Sequence, residues 1–291
     1  MRHPHRRRDG ELMSTGHVAL VGGGPAPSEL ITVRGRELLE AADVVVADRL
    51  GPRGLLDELG EDVEVLEVGK EPGRQSASQQ EINELLVDRA RAGRRVVRLK
   101  GGDPYVLGRG GEEREHCRAH GVDVEVVPGI TSASAVPAAA GIPLTHRGLA
   151  RGFTVITGHE DLDVVPRSAQ HTLVILMGVS TLPRVSRQLM ADGHDPETPV
   201  GVVESGGTEA QRVTLGRLRS IGELAARRQV ANPAVIVVGA VVTLADDWTD
   251  DDDDGAAERV GAAPAGRDDR HDAPRPADPL QTRRTDTDHD C

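Results

Sequence analysis

Two acid–base side chains stand at the ends of predicted strands. Asp48 follows the apolar run Val44–Ala47, and Lys70 follows residues 63–68 after a single glycine. Polar or glycine-rich turns recur at other strand ends: residues 22–25, 48–49, 69–70, 101–104, 129–131, 177–178 and 204–207. Open α/β sheets bind ligands beyond the carboxyl ends of their strands. Seven such turns therefore predict a cleft lined by loops from two units. Glycine lets a backbone approach a ligand closely, and the Asp103 carboxylate can accept hydrogen bonds from hydroxyl or amino groups. Each feature also has a plainer reading: Gly101 and Gly102 as a tight turn, Asp48 as a cap, Lys70 as a solvated side chain.

Other chemistries lack their signatures. No Cys/His cluster has zinc spacing and no serine sits in G-x-S-x-G, so neither a metal nor a catalytic triad is expected. The triple-glycine turn fails the G-x-G-x-x-G pattern of dinucleotide folds, because Pro27 takes the third glycine's place. Phe153, Tyr105 and Trp248 are the only aromatics of the 291 residues. That argues against stacking of single-stranded nucleic acid. The two cysteines, Cys117 and Cys291, argue against a disulfide framework and fit a reducing cytoplasm. No apolar run approaches a membrane span of about 20 residues, and no apolar segment follows the basic start to make a secretory signal.

The formal charge of −12 is concentrated at one end. Residues 246–291 hold fifteen acids against six arginines, a net −9, which leaves the body near neutral. The balance thus describes a tail and not a ligand surface. Residues 1–16 read as a disordered basic leader and 246–291 as a disordered acidic tail, because neither can bury enough apolar surface to offset ordering entropy.

Between these ends, short β-branched runs alternate with helical spacing. Strands are expected at residues 17–21, 44–47, 63–68, 95–99 and 122–127, with helices at 30–41, 81–92 and 111–120. A second unit follows, with strands at 153–157, 172–176, 199–203 and 234–238 and helices at 180–192 and 218–228. The pattern predicts an α/β protein with mainly parallel sheet, divided into units 17–132 and 133–245. The Ala/Pro/Gly-rich stretch 133–142, or the loop after it, reads as the boundary.

The segment 97–113, VRLKGGDPYVLGRGGEE, resembles the signature of uroporphyrinogen-III C-methyltransferases, within the tetrapyrrole methylase family. VALVGGGPAPSELIT (18–32), ADVVVADRL (42–50), VGK (68–70), VPGITS (127–132) and GIPLTHR (141–147) match in the same order. The resemblance covers residues 17–245. It implies two α/β domains with a cleft between them, a homodimer, and S-adenosyl-L-methionine as methyl donor. Cofactor contacts then fall at Pro25, Gly101, Gly102, Asp103, Val106, Thr131, Ser132, Met177 and Gly206. Asp48 matches the family's proton acceptor and Lys70 its proton donor. The substrate's eight carboxylates call for paired arginine hydrogen bonds; Arg49, Arg109, Arg147 and Arg151 are the candidates.

Three departures stand out. The first loop reads Gly24-Pro25-Ala26-Pro27-Ser28 where the family usually has G-P-G-D-P, Ala47 replaces an aromatic before Asp48, and Val106 and Leu107 replace bulkier residues. The changed first loop keeps open an impaired cofactor-binding or tetrapyrrole-sequestering homologue; a methylase of a later precorrin is a separate alternative, disfavoured by the long match over residues 100–113. A bifunctional siroheme enzyme would need a further domain for which the stretch before His17 leaves no room.

Overall fold

The computed structural model describes residues 16–48, 53–69, 77–159, 162 and 164–249. Arg49, Lys70, the leader through residue 15 and residues 250–291 lie outside the described residues.

Five strands form the first sheet: β1 (His17–Gly22), β2 (Val44–Ala47), β3 (Glu64–Glu67), β4 (Arg95–Lys100) and β5 (Asp123–Val127). Their order is β3-β2-β4-β1-β5 and every pairing is parallel. Helices α1 (Val33–Glu40) and α2 (Gly54–Asp57) bring Leu39 and Leu55 onto one face, against Ala19, Val21, Val45 and Val97. Helices α3 (Gln79–Arg91) and α4 (Gly110–Ala119) cover the other, where Leu86 and Cys117 meet Val18, Leu20 and Val96. Burial on both faces explains why β1 and β2 are apolar almost throughout; each fully buried Val or Leu contributes about 1.5–3 kcal/mol. A capping box starts α3: Ser78 Oγ accepts from Glu81 N at 3.2 Å and Glu81 Oε2 accepts from Ser78 N at 2.6 Å. The helix expected at 30–41 begins later, because Thr32 caps it by accepting from Gly35 N.

The second sheet holds β6 (Gly152–Thr157), β7 (His171–Leu176), β8 (Pro199–Glu204), β9 (Arg212–Arg217) and β10 (Ala234–Val238), in the order β6-β7-β10-β8-β9. This sheet is mixed: β6 and β7 pair in parallel and the other three pairings are antiparallel, so five of the eight pairings in the two sheets are parallel, in keeping with the mainly parallel sheet expected. Two of the antiparallel pairings belong to β10, and the third to β9, a strand the sequence reading missed. It follows β8 after a short loop, so it must return antiparallel. Its charged ends, Arg212 and Arg217, suit an edge strand and mask the apolar signal. Helices α6 (Leu182–Ala191) and α7 (Ile221–Arg227) cover one face of this sheet.

The stretch expected as a boundary, 133–142, is largely helix. Thr131 caps α5 (Ser132–Ala138), accepting from Ala133 N at 3.3 Å. Ala133, Val136, Ala140 and Ile142 pack on the second sheet's other face with Val174, Val203 and Val237. Small side chains there serve close packing rather than flexibility. Nor does the packed region stop at residue 245, since Trp248 lies against the same core with the Arg217 guanidinium 4.9 Å from its ring centre. No helix among the described residues is long and apolar enough to cross a membrane.

Candidate active site

In the first sheet the chain leaves β1 toward β2 on one side and leaves β4 toward β5 on the other, although β1 and β4 are neighbours. Such a switch point opens a crevice at the carboxyl ends of the two strands. The loop after β1 and the loop after β4 meet there: Gly102 N donates to Gly24 O at 2.9 Å and Gly24 N to Gly102 O at 3.2 Å. Asp103 ties in the loop after β5. Its Oδ2 accepts from Gly129 N at 3.0 Å and its Oδ1 from Tyr105 N at 2.8 Å. The three backbones are so close that a Cβ on Gly129 would sit 2.2 Å from Gly102 O. Asp103 was expected to face the cofactor. In this structure both its oxygens already hold backbone N–H groups, each with a lone pair to spare.

The second sheet presents an edge to the same place. Since β8 runs in the direction of β6 and β7, the carboxyl ends of all three share one edge, which carries Gly158, Met177 and Gly206. A Cβ on Gly206 would lie 2.6 Å from Val136 of α5, and one on Gly207 would lie 2.8 Å from Ala26 O. Pro25, Gly102, Thr131, Ser132 and Gly206 are thereby gathered around one meeting of loops. The altered first loop keeps its backbone pairing with Gly102 despite Ala26, Pro27 and Ser28.

Strain concentrates here too. Among the described residues, five non-glycine residues have positive φ: Leu107, Arg109, Met177, Ser205 and Gln229. The first four lie in loops that leave the carboxyl ends of β4, β7 and β8. Non-glycine residues in this conformation cost about 1–3 kcal/mol each and cluster at functional sites. Met177 is 47% exposed, a large apolar side chain held out from a strand end.

Asp48 is the half-exposed member of a buried ionic cluster. It continues the β2–β4 ladder, donating its N–H to Leu99 O at 3.1 Å. Its Oδ1 accepts from Arg98 Nη2, and its Oδ2 lies 3.5 Å from Lys100 Nζ. Arg98 Nε and Lys100 Nζ each donate to Glu113 Oε1 at 3.1 Å. Arg98 also donates to Val46 O and Leu99 O. The side chains of Arg98, Lys100 and Glu113 are 2%, 4% and 0% exposed, against 32% for Asp48. Two cations and two carboxylates thus balance, and only Asp48 reaches the surface.

Local sequence explains the cluster. Val96, Arg98 and Lys100 alternate toward the face covered by α3 and α4. Gly110 lets α4 start tight against the preceding loop: its N–H donates to Pro104 O at 2.9 Å, and a Cβ there would lie 2.5 Å from that oxygen. This sets Glu113 in the first turn of α4, over β4. Sequence reasoning assigned no role to Arg98, Lys100 or Glu113. The available signal was a pair of cations at alternate positions in a central, otherwise apolar strand. Cys117, one turn further along α4, is no nucleophile: burial, reinforced by the charge of Glu113, pushes its thiol up to about 11.

The arginine expectations fare unevenly. Arg109 is engaged by its neighbour, with Glu112 accepting from Nε at 3.0 Å and Nη2 at 2.6 Å. Arg151 precedes β6, and Arg147 lies in a tight turn closed by His146 and Ala150 just before it. Both enter β6 at the edge opposite Met177, across a six-residue strand, roughly 20 Å long. The structure does not gather them with the strand-end loops. Among the described residues no group of three His, Cys, Asp or Glu side chains could hold a metal ion.

The family model of the tetrapyrrole (corrin/porphyrin) methylases matches residues 17–222. An S-adenosyl-L-methionine-dependent uroporphyrinogen III methyltransferase of Methanosarcina barkeri is 49% identical over 239 residues, 79% of this chain and 94% of the relative. The chain is 46% identical to a siroheme synthase of Tolumonas auensis over 79% of its own length, but spans only 50% of that protein. The crystal structure of a Thermus thermophilus uroporphyrin-III C-methyltransferase complexed with S-adenosyl homocysteine superposes with a TM-score of 0.68 at 42% identity, covering 79% of this chain and 100% of the other. With a family model matching residues 17–222 and a relative 49% identical over 94% of its length, this chain belongs to the tetrapyrrole methylases.

Proposed function

We propose that this chain methylates uroporphyrinogen III at carbons 2 and 7, through precorrin-1 to precorrin-2, for siroheme or cobalamin synthesis. The observation that carries the reading is Asp48, a partly exposed carboxylate held between Arg98 and Lys100 next to the crossed loops after β1, β4 and β5. The names of the relatives support the substrate and the methyl donor. The backbone cradle of Gly101, Gly102, Thr131 and Ser132, with Pro25, Asp103, Val106, Met177 and Gly206, is the proposed binding place for S-adenosyl-L-methionine.

When bound, that donor supplies an electrophilic sulfonium methyl. Methyl transfer forms one carbon–carbon bond at a pyrrole carbon as the carbon–sulfur bond breaks, so alignment is the chain's main contribution. The attacked ring becomes cationic and must then lose a proton. Asp48 stabilises that cation and accepts the proton. In sequence Arg49 follows Asp48 and Lys70 follows the neighbouring strand β3; Lys70 takes the proton-donor role and Arg49 and Arg109 pair with substrate carboxylates, while Arg147 and Arg151, at the far edge of β6, are left with outlying carboxylates. We further assign 17–132 and 133–245 as the two domains, a homodimer as the assembly and the cytoplasm as the location.

The test is anaerobic incubation of the purified protein with enzymatically generated uroporphyrinogen III and S-adenosyl-L-methionine, with added methyls counted by mass spectrometry. Two methyls are expected. Asp48→Ala should slow turnover by about 10²–10⁴-fold, the contribution of a positioned general base. Donor binding without methylation, beside an active control enzyme, would sink the reading.

A further inference from the structure

Glu113 is wholly buried, and one of its oxygens carries all its contacts. Oε1 accepts from Arg98 Nε at 3.1 Å, Lys100 Nζ at 3.1 Å and Gln79 Nε2 at 3.3 Å. Oε2 is buried with no hydrogen-bond partner. Burying several charges is a poor way to stabilise a core, since apolar replacements of similar volume are often as stable or more so. A buried cluster of this kind calls for another explanation. Here the cluster has a direction. Both cations that Glu113 holds reach past it to Asp48, Arg98 through Nη2 and Lys100 through Nζ. Arg98 spans the two carboxylates with different nitrogens of one planar group, so fixing its Nε fixes the aim of Nη2. Lys100 has no such rigidity, and without Glu113 its ammonium would be free to follow Asp48 alone.

We infer that Glu113 is a positioning residue for Asp48, holding Arg98 and Lys100 so that the Asp48 carboxylate faces the reacting ring. The inference rests on the methyltransferase reading above. Glu113 touches no reactant and acts through the two cations; Gln79, on α3, holds it in turn and is itself held by Asn83 through a 3.0 Å hydrogen bond from its Nε2. The unpartnered Oε2 makes the assignment testable with an isostere, because an amide in its place keeps the volume and removes the charge.

The experiment is single-turnover methylation by Glu113→Gln, Asp48→Asn and the double variant, with S-adenosyl homocysteine binding measured by calorimetry on each. Glu113→Gln should bind S-adenosyl homocysteine within about twofold of the parent and yet transfer methyl about 100-fold more slowly, the loss that misplacing a group by about 1 Å can produce. The double variant should be no slower than Asp48→Asn alone, because Glu113 has nothing left to position. A merely structural role would weaken cofactor binding along with rate, or slow the double variant further. Either result overturns the inference, as does a folded Glu113→Gln within threefold of the parent rate. Should the isostere not fold, Lys100→Gln carries the test by the same criteria: a similar loss, absent on the Asp48→Asn background, supports the inference, and an unchanged rate overturns it. A parent that binds S-adenosyl homocysteine but transfers no methyl overturns the activity reading itself, and this inference with it.

Discussion

Glu113 and Glu204 are the two buried acids among the described residues, one on each sheet's side of the molecule. Both use Oε1 for their hydrogen bonds and leave Oε2 buried without a partner. Their partners differ. Glu113 is held by cations that are themselves buried and lead to Asp48. Glu204, at the end of β8, accepts from Ala231 N at 2.9 Å and from Arg212 Nη2 at 2.6 Å, and the Arg212 side chain is 51% exposed. Arg212 passes on to the carbonyls of Arg228 and Gln229. The same residue type therefore does two jobs. One glutamate staples a surface loop to a strand end, and the other balances buried charge beneath the half-exposed Asp48 carboxylate. What decides is whether the cation it pairs with can reach water.

That contrast can be broken by mutation. Glu113→Ala leaves Arg98 and Lys100 buried with only Asp48 for balance, and we expect a loss of about 3–5 kcal/mol in chemical denaturation, the cost of breaking a buried pair from one side. Glu204→Gln should lose only about 1 kcal/mol, since Arg212 can turn to water and the amide oxygen can still accept from Ala231 N. Methyl transfer by that variant should stay within threefold of the parent. If the two substitutions cost the same, the distinction between buried and exposed partners fails.

A smaller effect sharpens the comparison with a surface pair on the first sheet. Asp43 accepts from Arg95 through both side-chain and backbone N–H groups, and those bonds hold its carboxyl at about 2, below its ordinary 3.8. A lowered folded-state value means that the folded protein resists protonation. Its stabilising contribution is therefore complete above pH 4 and is lost as the pH falls from about 4 through 2. Asp43→Asn should flatten the acid limb of stability against pH in that window and leave stability at pH 7 and above lower by a constant amount. An unchanged acid limb would show that this pair does not govern it.

Much of the first sheet was legible because β1 and β2 are buried along nearly their whole length and read as short Val, Ala and Leu runs. Asp48 and the residue 101–103 turn were visible for a related reason, since polar residues closing an apolar strand mark its ligand end. The second sheet was less legible. An edge strand with arginine at both ends hides its pattern, and the Ala/Pro/Gly composition of 133–142 gives no helical signal until a facing sheet gives α5 something to pack on. Glu113 was hidden differently: GGEE at 110–113 offers two adjacent glutamates, and nothing local says which one turns inward.

The sequence alone determined the alternation of strand and helix, the order of the strand-end turns and the family resemblance carried by residues 97–113. These are local properties, set by side-chain periodicity and by motif spacing. Tertiary structure alone decided that Arg98, Lys100, Asp48 and Glu113 form one charge-balanced cluster, that Arg147 and Arg151 lie at the far edge of β6, and that Gly129 and Gly102 touch. Those facts depend on strand order, register and the angle at which α4 meets β4. Long-range packing sets all three, and no window of sequence contains both partners.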